Sequence, residues 1–164
     1  MTSMFSVVPL HPKADRSRFD CGVEPLNHYL KSQATQDIKR RVTACFTALN
    51  QDQEIAGYYT LASASIHLVD LPEQLAKKLP RYPSVPAVRM GRLAVDQTFH
   101  GQGLGAALLA DALRRATSAE IAAYALMVDA KDALAARFYA HHGFMAMVDA
   151  PLLLFLPLAA VKGL

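Results

Sequence analysis

Three glycines at alternate positions, in His100-Gly101-Gln102-Gly103-Leu104-Gly105, constrain this chain more than any other feature. They follow an alternating apolar segment, residues 87–95, and open onto a stripe of Leu104, Leu108, Ala112 and Ala116 with Leu109 and Leu113 beside it. The first pattern has the period of a strand and the second that of a helix, so the glycines form a strand-to-helix turn. A helix begins with unpaired N–H groups and the positive end of its dipole, which together attract a pyrophosphate. Glycine lets such an anion approach the backbone with no Cβ in the way. A tight turn with no ligand accounts for the same residues. No Gly-Lys-Ser/Thr follows, which excludes a nucleoside-triphosphate loop, and the dinucleotide fingerprint is incomplete.

The rest of the chain alternates in kind. Residues 5–10 read as a first strand. A helix opens at Pro25, with Leu26, Tyr29 and Leu30 at i, i+3 and i+4, and runs into a basic segment, 33–41, that ends in Lys39-Arg40-Arg41. Residues 43–49 and 54–62 read as a hairpin about the turn 50–53. A short helix, 71–79, precedes an extended loop marked by Pro80, Pro83 and Pro86. Beyond the glycine turn, 121–128 reads as a strand and 131–141 as a helix, with Asp129 as its cap and Gly143 as its stop. Residues 145–156 supply the last strand or strands. This order predicts a mixed α/β sheet with helices on both faces, in a single domain spanning 1–164.

Composition excludes several classes. With 52% hydrophobic and 19% charged residues among 164, the chain is no disordered tail. The net charge of +3 permits an anionic partner without demanding one. The most apolar run, 152–156, is far short of the ~20 residues that cross a bilayer. Residues 1–10 lack the basic start of a signal peptide, so a cytoplasmic protein with no membrane partner is expected. Cys21 and Cys45 have no metal-like spacing and read as small buried hydrophobes. His11, His28 and His67 stand alone, and His141-His142 lacks the third ligand a metal site needs, so no metal is expected.

Larger segments carry a family likeness. Arg92-Leu93-Ala94-Val95-Asp96, the glycine turn, Ala106-Ala107-Leu108-Leu109 and the stretch from Ala136 to Phe144, with its Phe138-Tyr139 and Gly143-Phe144, resemble the GNAT acetyltransferases. His100 departs from the Arg or Gln usual at its position, which matters little to a site built on backbone N–H groups. Over nearly the whole chain, Phe19-Asp20-Cys21-Gly22, Leu26-Asn27-His28-Tyr29-Leu30 and Ile55-Ala56-Gly57-Tyr58-Tyr59 are similar to the GNAT toxins of toxin–antitoxin pairs.

The resemblance implies acetyl-CoA as co-substrate. It would lie against Leu93, Ala94 and Val95, against His100, Gly101, Gln102, Gly103, Leu104, Gly105 and Ala106 of the turn, and against Phe138. Tyr139 takes the family's general-acid position, where a phenol of pKa ~10 keeps a proton to give to the leaving thiolate. The resemblance further implies acetylation of the α-amine of aminoacyl-tRNA, which blocks translation, and silencing by a small ribbon-helix-helix antitoxin encoded nearby. A homodimer stays open. The residues fit such an acceptor: the strand 87–95 carries Arg89 and Arg92 but no carboxylate. An α-amine of pKa ~8 needs a base less than an alkylamine of ~10.4 does. Asp96 and Asp129 remain open as bases. Lys39, Arg40, Arg41, Arg89 and Arg92, with Lys77, Lys78 and Arg81, could hold RNA phosphates, although a solvated face explains them too. An acetyltransferase of small amines or protein N-termini is the alternative, and a non-catalytic acetyl-CoA-binding module a third reading.

Overall fold

A computed structural model describes residues 4–161. Its strands form one mixed sheet in the order β1-β2-β3-β4-β5-β7-β6. β1 (Ser6–Pro9), β2 (Ala44–Leu49) and β3 (Ile55–His67) pair antiparallel, with Ser6 opposite Leu49 and Cys45 opposite Thr60. β4 (Ser84–Val95) pairs parallel with β5 (Ala125–Asp129), and β5 pairs antiparallel with β7 (Ala150–Pro157), which carries the short β6 (Met145–Met147). The expected mixed α/β sheet is present.

The chain divides into two compact units. The first runs to Ala62 and resumes over Gly91–Ala112. Its helical run is α1 (Glu24–His28), a π-helical turn (Tyr29–Gln33) and α2 (Ala34–Lys39). The helix read from the sequence is therefore interrupted: the Ala34 N–H reaches back five residues to the Tyr29 carbonyl. Spacing alone predicts no such widening. The run buries Tyr29, Leu30 and Ala34 against Phe19, Cys45, Ile55, Tyr58 and Ala94. At neighbouring Gly57 the sheet meets α4 (Leu104–Ser118) instead, so closely that a Cβ would stand 2.9 Å from the Leu108 side chain. Adjacent strand residues face opposite ways, so the helices of this unit lie on both faces of its strands. Tyr59 shares the α4 face and donates from its hydroxyl to the buried Asp111 carboxylate at 2.5 Å. Tyr59→Phe is expected to cost about 1.5–3 kcal/mol, the range for hydrogen bonds to charged groups. That loss lowers Tm by roughly 2–4 °C per kcal/mol at this chain length, read in a thermal melt.

The second unit comprises Ser63–Met90 and the chain from Leu113 onward. Its core gathers Ile66, Leu71, Val85, Ala87, Ala125, Met147 and Phe155. Several sequence boundaries shift here. β3 continues past Ala62 to His67, and β4 starts three residues before Ala87, with the exposed Pro86 inside it. The helix expected over 71–79 is only α3 (Glu73–Ala76). The strand expected from Ile121 begins at Ala125, because sheet bonding starts with the Tyr124 N–H on the Pro86 carbonyl, and Ile121 is 87% exposed. Asp132, not Asp129, caps α5 (Ala133–His141): its carboxylate accepts from the Ala135 N–H at 2.8 Å. Gly143 ends α5 with φ +94°, as expected.

Candidate active site

The glycine turn is shorter than its sequence suggests. α4 starts at Leu104, and the first helical bond runs from the Ala107 N–H to the Gly103 carbonyl. Gly105 therefore belongs to the first helical turn. Gly101 and Gly103 take φ +79° and +76°, a left-handed conformation that costs other residues roughly 1–2 kcal/mol. A Cβ on either would enter open space. Crowding within the protein is therefore not what asks for glycine there. The turn offers left-handed backbone and a helix N-terminus beside an unfilled surface, which fits the pyrophosphate of acetyl-CoA.

The strand leading to the turn is locked at its end. The Asp96 N–H donates to the Ala56 carbonyl at 2.8 Å. The Asp96 carboxylate is buried and accepts from the Asp20 and Thr98 N–H groups at 2.9 and 2.8 Å. His100 Nε2 lies 2.7 Å from the Val95 carbonyl, which can only accept, so the ring donates and folds the turn back onto β4. His100 thus acts as a brace. The cleft beside this turn is lined by Thr98 and Phe99, by Asp15, Asp52 and Glu54, and by Arg18, which pairs with Glu54 at 3.5 Å; the net charge of that lining is negative and disfavours a polyphosphate.

The two carboxylates left open as bases are both committed. Asp96 is held as described, and Asp129 pairs with Arg89 at 3.1 Å. Arg89 and Arg92 share β4 but not a setting. The Arg92 guanidinium carbon sits 3.4 Å above the centre of the Tyr29 ring. The Tyr29 hydroxyl donates to Asp37 at 2.8 Å, and the Gln33 amide donates to the other Asp37 oxygen at 3.1 Å. Those two bonds hold the Asp37 carboxyl below the usual carboxylate range, while burial pushes the Tyr29 phenol well up. Sequence reasoning placed Tyr29 on a helix but did not connect it, Gln33 and Asp37 with Arg92, although the i, i+4, i+8 spacing of the three was a usable signal. Lys39, Arg40 and Arg41 are exposed where α2 ends, and Arg41 breaks the helix with φ +61°.

In the second unit Tyr139 lies on α5, 7% exposed, with Phe138 edge-on at 5.2 Å and Phe144 at 5.5 Å. Burial pushes its phenol up to about 12. Among the described residues its hydroxyl bonds to no protein group, yet no buried side-chain oxygen is left unpartnered, so the hydroxyl keeps a contact with solvent. It is a protonated group free to donate. Cys21 and Cys45 are both buried, and burial pushes Cys45 up to about 12, so it supplies no thiolate. Among the described residues no group of His, Cys, Asp and Glu could hold a metal, and no helix is long and apolar enough to cross a membrane.

The acetyltransferase (GNAT) domain family matches residues 42–146. A tRNA-acetylating toxin of Mycobacterium tuberculosis is 33% identical over 152 residues, covering 92% of this chain and 90% of the toxin. The structure of AtaT complexed with acetyl-methionyl-tRNAfMet superposes with a TM-score of 0.89 at 30% identity, over 95% of this chain and 96% of that one. A Tyr→Phe variant of AtaT, bound to the C-terminus of the antitoxin AtaR and to acetyl-CoA, gives 0.81 at 27% identity, over 96% of both chains. With more than half its length inside the family match, this chain belongs to the GNAT acetyltransferase family.

Proposed function

We propose that this chain is an acetyl-CoA-dependent N-acetyltransferase toxin that acetylates the α-amine of aminoacyl-tRNA and so blocks translation. The observation that carries the reading is the near full-length likeness to AtaT in complex with acetyl-methionyl-tRNAfMet. The residues supply a consistent mechanism. The N–H groups of the turn and of the first turn of α4 take the pyrophosphate. The backbone of Leu93–Val95 holds the thioester arm, with an N–H aimed at the carbonyl oxygen, where such a donor is worth roughly 3 kcal/mol as charge gathers. The amine attacks the thioester carbon, the C–S bond breaks, and the Tyr139 proton passes to the departing sulfur. The proton lost by the amine goes to water. An α-amine of pKa ~8 is partly neutral already, and β4 carries no acid.

The same reading takes residues 1–164 as one catalytic domain, working in the cytoplasm under a ribbon-helix-helix antitoxin encoded beside it. AtaT, held by the C-terminus of AtaR, supports the antitoxin. Acetylation of an unacylated RNA-free acceptor such as an amino-acid amide is the decisive comparison. Charged tRNA should be acetylated with a far higher kcat/KM, followed by thiol release and the mass of the aminoacyl product. Equal efficiency on the amide, or on a peptide N-terminus or polyamine, would transfer the chain to the small-amine reading.

A further inference from the structure

Arg92 is the basic residue of β4 that forms no ion pair with any described residue. Arg89 forms an ion pair with Asp129. Arg92 has no ion pair and donates no hydrogen bond to any described residue, although the residue is half-buried and its guanidinium lies against the Tyr29 ring. A cation is costly in such a place unless something compensates it. The Tyr29 ring compensates one face of the guanidinium through its π-cloud. Stacking leaves the N–H fork along the edges of the group directed away from the ring, and that fork matches two oxygens of a phosphate.

The support under Arg92 is unusually elaborate for a surface cation. Tyr29 is 5% exposed and fixed at both ends, by packing against Tyr58 at 6.4 Å and by its hydroxyl on Asp37. Asp37 is fixed in turn by Gln33. All three residues belong to the run that the π-helical turn widens, and such turns recur at functional sites. Asp37 spends its oxygens on Tyr29 and Gln33 rather than on the arginine. Asp37 thus holds the ring beneath Arg92 through these bonds, while its charge acts on the guanidinium from beyond ion-pair distance.

We infer that Arg92, seated on Tyr29, grips a phosphodiester at the acceptor end of the charged tRNA, and that Tyr29 and Asp37 are positioning residues acting through it. The inference rests on the function proposed above and adds which cation carries the position-setting contact. Arg89, already paired, does not share that role.

The experiment measures steady-state acetylation of an aminoacyl-tRNA and of a 3′-aminoacyl-adenosine mimic that lacks phosphates, across a salt series. Arg92→Lys keeps the charge and loses the planar fork. It is expected to raise KM for the charged tRNA by about ten- to a hundredfold, the scale of one charge-assisted hydrogen bond. The fall in kcat/KM on the tRNA should exceed that on the mimic by at least about tenfold. Arg92→Gln should also reduce the slope of log KM against log salt by about 0.7–0.9, the signature of one lost phosphate contact. Tyr29→Phe keeps the ring and removes its tether, and should raise KM for the tRNA by a smaller factor with an unchanged salt slope. Equal losses on tRNA and mimic, or a salt slope unmoved by Arg92→Gln, would overturn the inference while leaving the tRNA activity standing. A wild-type protein that acetylates the mimic but not the tRNA would overturn the function itself, and this inference with it.

Discussion

Tyr139→Phe should lower kcat by about 10²–10⁴ while affinity for acetyl-CoA holds, the range for losing a positioned general acid. The substitution is well isolated. The Tyr139 hydroxyl bonds to no described protein group, so its removal leaves no buried partner stranded, and the ring stays against Phe138 and Phe144. Thermal stability should therefore barely change, which separates a catalytic loss from a folding one. The pH profile offers a second check. Burial raises this phenol to about 12, so it keeps its proton well into the alkaline range. kcat/KM should climb as the acceptor amine, of pKa ~8, loses its proton, then stay level to about pH 10. A kcat within threefold of wild type would deny Tyr139 this role, whereas an alkaline fall near pH 9 that disappears in the phenylalanine variant would keep the role and deny only the raised pKa.

Gly103→Asp should reduce acetyl-CoA binding by more than about a hundredfold in calorimetry, because a carboxylate set against a pyrophosphate costs several kcal/mol. The new side chain meets nothing within 4 Å, and aspartate tolerates the left-handed φ of +76° better than most residues do. The fold should therefore survive. Gly103→Asn, of nearly the same shape without the charge, should bind markedly better than the aspartate variant. Equal affinity for wild type and Gly103→Asp would remove the turn from the cofactor site. Gly105 is a poorer test, since it lies inside α4 rather than in the left-handed turn.

What could be read from the sequence was local. The strand, glycine turn and amphipathic helix around 87–116 show in spacing alone, because side-chain period and glycine's freedom act over a few residues. The helix stop at Gly143 and the burial of Cys21 and Cys45 were legible for the same reason. Local rules failed where two candidates competed. Asp129 and Asp132 both precede α5, and only register decides: Asp129 lies opposite Leu153 in the sheet, so the cap falls to Asp132.

The sequence by itself determined the family and nominated the groups proposed to carry the chemistry, since both rest on contiguous residues whose backbone roles are set by near neighbours. Tertiary structure alone decided which of those groups are free to act. Asp96 is spent on the N–H groups of Asp20 and Thr98, and Asp129 on Arg89, while Arg92 rests on a ring 63 positions earlier in the chain. Periodicity tells which face a side chain takes, but not which distant partner waits there. Whether a charge is neutralised or available depends on that partner, and only the folded chain brings the two together.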